Sequence, residues 1–241
     1  MPAFAEKHIE TFPIRYSDRD RFGCLKLRTL LDYAQEAAGN HAEKLGFGVT
    51  TLRQKHQAWM LARLKLRILD YSVVGNEVQV TTWPSGYERL FATREYIFTA
   101  GPEHRVIAEG SSYWIVFDTE AKRVLLASRE LAGLPADTET SEHFFTDLGK
   151  LPEVKQAPVL DEVKIREHQI DVNSHLNNAE YGALVQDVLE PGVRPREIQI
   201  NYQHAIPPGG LVQIRSLRDG NQFLFAGLLD EAVAFTAQLF M

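Results

Sequence analysis

The sequence predicts an α+β protein built from two copies of one unit, each a helix followed by four or more antiparallel strands. Three observations predict it. The chain repeats itself: Ile14-Arg15, Asp20, Leu25, Gln35 and Glu36 recur 151 positions later as Ile165-Arg166, Asp171, Leu176, Gln186 and Asp187. Gly75, Val78, Gln79 and Val80 recur 134 positions later as Gly209, Val212, Gln213 and Ile214. The common order is the mark of a duplicated fold, and the drop in offset gives the first copy 17 extra residues after its helix. Each copy also holds one apolar stripe of helical period. Runs of strand-like sequence, separated by turn residues, follow each stripe.

The elements are expected in this order. A short alternating strand opens each copy, carrying Phe12, Ile14 and Tyr16 in the first and Val163, Ile165 and Glu167 in the second. In the first helix, Leu27, Leu30, Leu31, Ala34, Ala37, Ala38, His41 and Leu45 share one face, and Gly46 is a fitting stop. His41 lies on that apolar face and reads as a packed core residue. In the second helix the stripe is Tyr181, Leu184, Val185, Val188 and Leu189; Asn177 or Asn178 is the expected cap, and Pro191 ends it. Strands are expected at 59–69, 77–83, 90–99 and 106–117, then at 197–205, 211–217, 222–229 and 232–240, with Asp219-Gly220 as a hairpin signal. Residues 127–160 hold Pro135, Pro152 and Pro158 with little periodicity and read as a linker. The expected division is therefore 1–126, a linker at 127–160, and 161–241.

Composition narrows the function classes. A chain of 241 residues accommodates two domains of about 120. With 44% hydrophobic and 24% charged residues it is ordinary globular material, not a disordered chain. No apolar run approaches the ~20 residues of a membrane span, and Met1–Glu10 has no apolar core of a secretory signal. A net charge of −6 argues against a general nucleic-acid binder. The single cysteine, Cys24, excludes an intramolecular disulfide and a Cys-rich zinc site, and suits a reducing cytoplasm. No other grouping has metal spacing, no Gly-x-Ser-x-Gly elbow is present, and no Gly-rich phosphate loop exists, so neither metal nor cofactor is expected. Two basic groups stand out: Arg15, Arg19 and Arg21 cluster, and Arg63, Lys65 and Arg67 alternate along one strand face. Each is either a solvated face or a dock for an acidic partner.

Residues 171–181 read Asp-Val-Asn-Ser-His-Leu-Asn-Asn-Ala-Glu-Tyr. This resembles the Asp-x-Asn-x-His-(Val/Leu)-Asn-Asn-x-x-Tyr signature of plant and bacterial acyl-acyl carrier protein thioesterases. Leu30-Leu31, Gln35-Glu36, His41, Leu45-Gly46, Trp59, Arg63, Thr82-Trp83-Pro84, Ala108-Glu109-Gly110, Ser112 and Trp114 also fall in that family's order. The resemblance covers nearly the whole chain. It implies two tandem hotdog units, each a long helix wrapped by an antiparallel sheet, fused as a pseudo-dimer. The acyl chain is then expected in the first unit and the catalytic residues in the second, at the loop entering its helix. The implied substrate is a fatty acyl group on the 4'-phosphopantetheine arm of acyl carrier protein, an acidic partner for the basic groups. Whether the fused pair stays monomeric or forms a homodimer is left open.

Thioester hydrolysis needs an activated water and a stabiliser for the developing oxyanion. His175 is the natural general base, since imidazole titrates near neutrality. Asn173 is placed to hold the carbonyl or the water. Asp171 either orients His175 or activates water itself. These three share one side only if the stretch is extended. Asn177 and Asn178 read as loop and cap residues, and backbone N–H groups at the helix start are candidate oxyanion donors. The sequence also departs from the family. Many members carry Tyr-x-x-Glu in the strand after the catalytic helix, followed by Cys in plants; here the step begins at Tyr202, but Ala205 and Ile206 occupy those places. Gln203 is the residue expected to replace the missing carboxylate by hydrogen bonding, from the same strand face as Ala205. Cys24 matches His175 in the other copy and has no visible base, so water and not a cysteine is the expected nucleophile. The leading expectation is hydrolysis of fatty acyl-acyl carrier protein. The alternatives are an acyl-coenzyme A thioesterase of the same fold and a non-catalytic acyl- or carrier-binding protein.

Overall fold

The computed structural model describes residues 7–72, 75–88, 90–132 and 142–241. The elements run β1 (His8–Pro13), α1 (Leu27–Lys44), α2 (Val49–Gln54), β2 (Gln57–Ile68), β3 (Glu77–Glu88), β4 (Phe91–Ala100), β5 (Arg105–Asp118), β6 (Arg123–Leu125) and α3 (Ala127–Glu130). They continue as β7 (Val159–Lys164), α4 (Glu180–Asp187), β8 (Glu197–Tyr202), β9 (Leu211–Asp219), β10 (Gln222–Leu229) and β11 (Ala232–Phe240). The chain forms two compact units. One comprises Met1–Ile14, Tyr33–Leu64 and Val73–Leu148; the other comprises Arg15–Asp32, Lys65–Ser72 and Gly149–Met241.

In the first unit the strands stand in the order β1-β3-β4-β5-β2, with β6 beside β5. In the second, the order β7-β9-β10-β11-β8 repeats it. The offsets read from sequence carry over to the elements. Shifting β1 by 151 gives β7, and shifting the start of β3 by 134 gives the start of β9. Even single bonds recur: Ile14 N–H donates to Asn76 O at 2.7 Å, and Ile165 N–H to Gly210 O at 2.9 Å.

The apolar stripe of α1 is buried as its period requires: Leu27, Leu30, Ala34 and Ala37 are fully covered. The helix ends at Gly46, whose φ of +78° suits the residue without a Cβ. There Phe47 N–H closes back on Ala42 O at 2.9 Å, the 6→1 bond of a Schellman stop. His41 is buried at 3% exposure, accepts a hydrogen bond from Arg94 Nη1 at 3.1 Å on Nδ1, and stacks on His8.

Several expectations need correction. The second helix is short, eight residues, because the chain turns at Leu189, whose N–H reaches Gln186 O at 3.1 Å, and Pro191 forbids resumption. Its N-cap is Ala179 with no side-chain cap bond; Asn177 Oδ1 instead accepts from Ala179 N–H at 2.8 Å, ahead of the helix. The strand expected to reach Ala205 stops at Tyr202. Gln203 and His204 N–H both donate to Ala234 O, at 2.9 and 3.0 Å, and that doubling ends the ladder. The stretch read as linker contains α3 and the start of β7. Pro135, like residues 1–6 of the N-terminal reading, lies outside the described residues.

Candidate active site

The Asp-x-Asn-x-His run lies in the second unit and folds as a closed turn. A single 3-10 turn, Glu167–Gln169, leads in, with Arg166 N–H donating to Gln169 Oε1 at 2.9 Å. Ile170 and Leu176 pair as an antiparallel bridge, and residues 171–175 form the loop it closes. Asp171 N–H donates to His175 O at 2.8 Å, and Ser174, at φ +63°, donates back to Asp171 O at 3.0 Å. The Asp171 carboxylate organises the interior. Its Oδ1 accepts from Asn173 N–H at 2.8 Å and more weakly from His175 N–H at 3.5 Å; its Oδ2 accepts from Asn173 Nδ2 at 3.4 Å.

The extended conformation weighed from sequence is thus not the one adopted. Asp171 offers nearby backbone N–H groups a local partner, which draws the chain out of the strand ladder. The turn still brings the three candidates together, by curling around one carboxylate and not by strand alternation. Asn173 and His175 are exposed and Asp171 is half-buried. The His175 imidazole has no hydrogen-bond partner among the described residues, so its ring nitrogens are open to a bound molecule.

A frame that the motif reading did not anticipate holds this turn. Leu176 N–H donates to Ile206 O at 2.8 Å, and Asn177 N–H to Gln169 O at 2.9 Å. The Gln169 amide donates to Glu180 Oε2 at 3.3 Å, and Arg28 is ion-paired with Glu180 Oε1. Glu180 is only 7% exposed. Beneath it, Tyr181 packs edge-on against Tyr202 and Phe235, with centroids 5.0 and 5.1 Å apart. Burial, and then the charge of Asp171, push the Tyr181 hydroxyl above the usual tyrosine range, partly offset by a hydrogen bond with the Ile206 backbone. It therefore stays protonated beside Asp171. The "x" position of the motif occupied by Glu180 gave no sequence signal, because its partners lie elsewhere in the chain.

The first copy contributes a twin of this turn to the same unit. Arg19 and Leu25 bridge, as Ile170 and Leu176 do. Asp20 N–H donates to Cys24 O at 2.8 Å and Gly23 N–H to Asp20 O at 3.0 Å. Asp20 Oδ1 accepts from Phe22 and Cys24 N–H at 2.9 and 3.0 Å. The backbone is the same as in the Asp171 turn, but Asn and His are replaced by Phe22 and Cys24. Asp20 Oδ2 is paired with Arg194, a bond without counterpart at Asp171.

Other candidates are placed differently. Ala205 is exposed and lies beyond the last residue of β8. Gln203 is partly buried, and its Nε2 is a buried donor with no partner among the described residues. Without a common strand, Gln203 and Ala205 do not share the face expected of them. Lys65 and Arg67 both pair with Glu197, at 3.1 and 2.9 Å. Burial would raise the Glu197 carboxyl, but the bonds from Arg67 and Lys65 outweigh it and hold it below the usual range. Arg63, in the first unit, donates to Leu148 O and lies over the Phe91 ring, 5.0 Å from its centroid. The alternating stripe is thus largely engaged with its own surroundings.

The first unit holds a cavity of about 300 Å³ whose walls include Glu88, Glu95, Tyr113 and His143. It lies on the face of β4 away from α1, since neighbouring Arg94 points to His41 of that helix and side chains alternate along a strand. Glu95, 1% exposed, accepts from Ser85, Ser111 and Phe144 N–H and pairs with His143. The cavity walls mix these ionisable groups with the rings of Tyr87 and Phe145.

The profile of the acyl-ACP thioesterase N-terminal domain matches residues 5–132, and that of the C-terminal domain matches residues 153–230. Oleoyl-acyl carrier protein thioesterase 1 of Arabidopsis thaliana is 24% identical over 79% of this chain and 57% of its own length. The Coriandrum sativum oleoyl-acyl carrier protein thioesterase is 25% identical over 73% of this chain and 51% of its own. The chain thus spans about half the length of the curated relatives it matches. Among solved structures, an acyl-ACP thioesterase from Bacteroides thetaiotaomicron superposes with a TM-score of 0.80 at 18% identity, covering 97% of both chains. The 12:0-ACP thioesterase of Umbellularia californica gives 0.80 at 17% identity, covering 97% and 96%. These likenesses give the fold, two hotdog units in one chain. On the two matched domains, together with the closed Asp171–His175 turn, the chain belongs to the acyl-ACP thioesterase family.

Proposed function

We propose that the protein hydrolyses the thioester between a fatty acyl group and acyl carrier protein. The observation that carries this reading is the Asp171 turn, which presents Asn173 and an exposed His175, whose ring has no hydrogen-bond partner among the described residues, on a backbone fixed by one carboxylate. In the reaction, water attacks the thioester carbonyl as His175 takes its proton. The Asn173 amide donates to the carbonyl oxygen as charge develops there. Collapse breaks the C–S bond, and the His175 proton goes to the departing sulfur, leaving a fatty acid and the free thiol. Asp171 acts by holding the turn: both its oxygens are occupied by Asn173 and His175 donors. The catalytic residues invoked here, Asp171, Asn173 and His175, all lie in the second unit, and they do not require a homodimer.

The test is thiol release from oleoyl-, palmitoyl- and lauroyl-acyl carrier protein, with the coenzyme A thioesters in parallel. His175→Ala should lower turnover by about 10²–10⁴-fold with an unchanged fold. Near-normal turnover in that variant refutes the assignment. A specific observation favours one second reading. With Ala205 where many members of the resembled family carry Glu, the site lacks a second carboxylate for water, which suits a protein that binds the acyl carrier without turning it over. Saturable binding without thiol release identifies that case.

A further inference from the structure

We propose that the twin turn of the first copy, with the residues leading into it, is the docking surface for the acidic protein that carries the acyl group. The partner's identity rests on the function proposed above; the location rests on the turn itself. Residues 15–24 keep the backbone of the Asp171 turn, but Phe22 and Cys24 stand where Asn173 and His175 stand in the second copy. The turn is freed of that chemistry and filled with cations and aromatics. Tyr16 is fully exposed at 101% and Phe22 is 55% exposed. The Arg21 guanidinium lies 5.0 Å from the Phe22 ring centroid and that of Arg194 5.4 Å from it. Arg15 and Arg21 are exposed and make no ion pair among the described residues.

Arg15 recurs as Arg166 in the second copy, but the fold does not demand the other residues of the patch. At the matching positions of the second copy, Tyr16 becomes Glu167, Arg19 becomes Ile170, Arg21 becomes Val172 and Phe22 becomes Asn173, while the turn closes through the same bonds. Nor do local acids cancel the charge. Asp18 accepts from Arg15 N–H at 2.7 Å, and Asp20 is taken by two backbone N–H groups and Arg194. Arg15, Arg19, Arg21, Arg194 and Lys26 thus outnumber the acids placed near them among the described residues, Asp18, Asp20 and the half-buried Asp187, on a chain whose net charge is −6. A local reversal of sign draws an acidic surface to one patch. The overall negative charge disfavours a polyanion that must lie across much of the protein. Exposed Tyr and Phe flanked by Arg have the composition of an interface centre.

The experiment uses the full chain with Arg15→Glu/Arg21→Glu and, separately, Tyr16→Ala; Phe22 is left intact because it packs on Gly192. Hydrolysis of oleoyl- and lauroyl-acyl carrier protein is compared with that of a short acyl-pantetheine thioester, and binding of holo-acyl carrier protein is measured by fluorescence anisotropy against salt. The charge-reversal variant should raise KM for the carrier substrate by about tenfold or more and weaken its salt dependence. Both variants should leave kcat and the pantetheine substrate unchanged. Equal effects on both substrates, or none on the carrier, overturn the proposal. If the wild type hydrolyses no thioester, the binding arm decides: carrier binding lost in the variants upholds docking while the hydrolase reading falls, and no wild-type binding sinks docking as well. Binding of the wild type to anionic phospholipid vesicles in preference to the carrier also overturns it.

Discussion

Asp20 and Asp171 offer an internal control for the role of the turn carboxylate. Each accepts from the N–H groups two and four residues ahead, so substitution by Ala removes the same local bonds in each copy. Their surroundings differ. Asp20 and Arg194 are paired with side chains 16% and 17% exposed, and Asp20→Ala leaves a mostly covered guanidinium unmatched. Breaking a buried pair costs about 3–5 kcal/mol; discounted for partial exposure, about 2–3 kcal/mol is expected here. Asp171 has no such partner, and water can reach the freed donors at exposed Asn173 and His175, so about 1 kcal/mol is expected there. For a chain of this length these losses are about 4–12 °C in Tm for Asp20→Ala and about 2–4 °C for Asp171→Ala. Activity should rank the other way. On a short pantetheine thioester, Asp171→Ala should lower kcat by about 10²-fold or more as Asn173 and His175 lose their register, whereas Asp20→Ala should stay within about twofold of wild type below its Tm. Calorimetry and thiol release on the two variants suffice. Equal loss of kcat in both, or retention in Asp171→Ala, would refute the claim that the second-copy turn is the working one.

Three further outcomes are expected. Ala205→Glu should raise thiol release about two- to tenfold if a carboxylate at that exposed position helps to hold water; an unchanged or lower rate removes Ala205 from the account. Glu197→Gln should destabilise the protein by about 1 kcal/mol at pH 7, since its partners are only partly covered. The folded-state pKa of Glu197 is depressed, so its contribution is present above the unfolded value and is lost as pH falls through the folded one; urea melts of the two proteins should converge as pH falls below the usual glutamate range, and a gap that persists undiminished would contradict the pairing. Asp230 and Glu231 form the two-residue turn between β10 and β11 with φ of +48° and +65°, strained for residues with a Cβ. Glu231→Gly should raise stability by about 0.5–1 kcal/mol, and a lower Tm would count against strain at that turn.

The fold was largely legible because its signals are local and repeated. The α1 stripe from Leu27 to His41 and the 151-residue offset between Ile14 and Ile165 need no tertiary knowledge. What escaped depends on partners far along the chain. In β4, Arg94 and Glu95 are adjacent charges for which the sequence offers no partner, yet both are buried on opposite faces, one against His41 and the other bonded to Phe144 N–H. The segment around Phe144 read as linker because its anchors, Glu95 and Ser111, lie 49 and 34 residues away from the groups they bind. At the site, the residue types were readable from the motif. Their arrangement was not, because one side chain, Asp171, overrides the strand pattern on either side of it.

The border between the two units cuts through α1 and β2, so the genetic repeat and the folded unit are not the same segment of chain. Glu180, Glu197 and the Pro195 carbonyl, all encoded in the second half, are met by Arg28, Arg67 and the Tyr71 hydroxyl, encoded in the first. A chimera joined at residues 148–149 would import a relative's segment matching the Asp171 turn but keep the host's Arg28 paired to its Glu180 position. Recombination at that junction exchanges the candidate site residues without their supports. Successful swaps between members of this family should therefore carry residues 15–32 and 65–72 along with the C-terminal half.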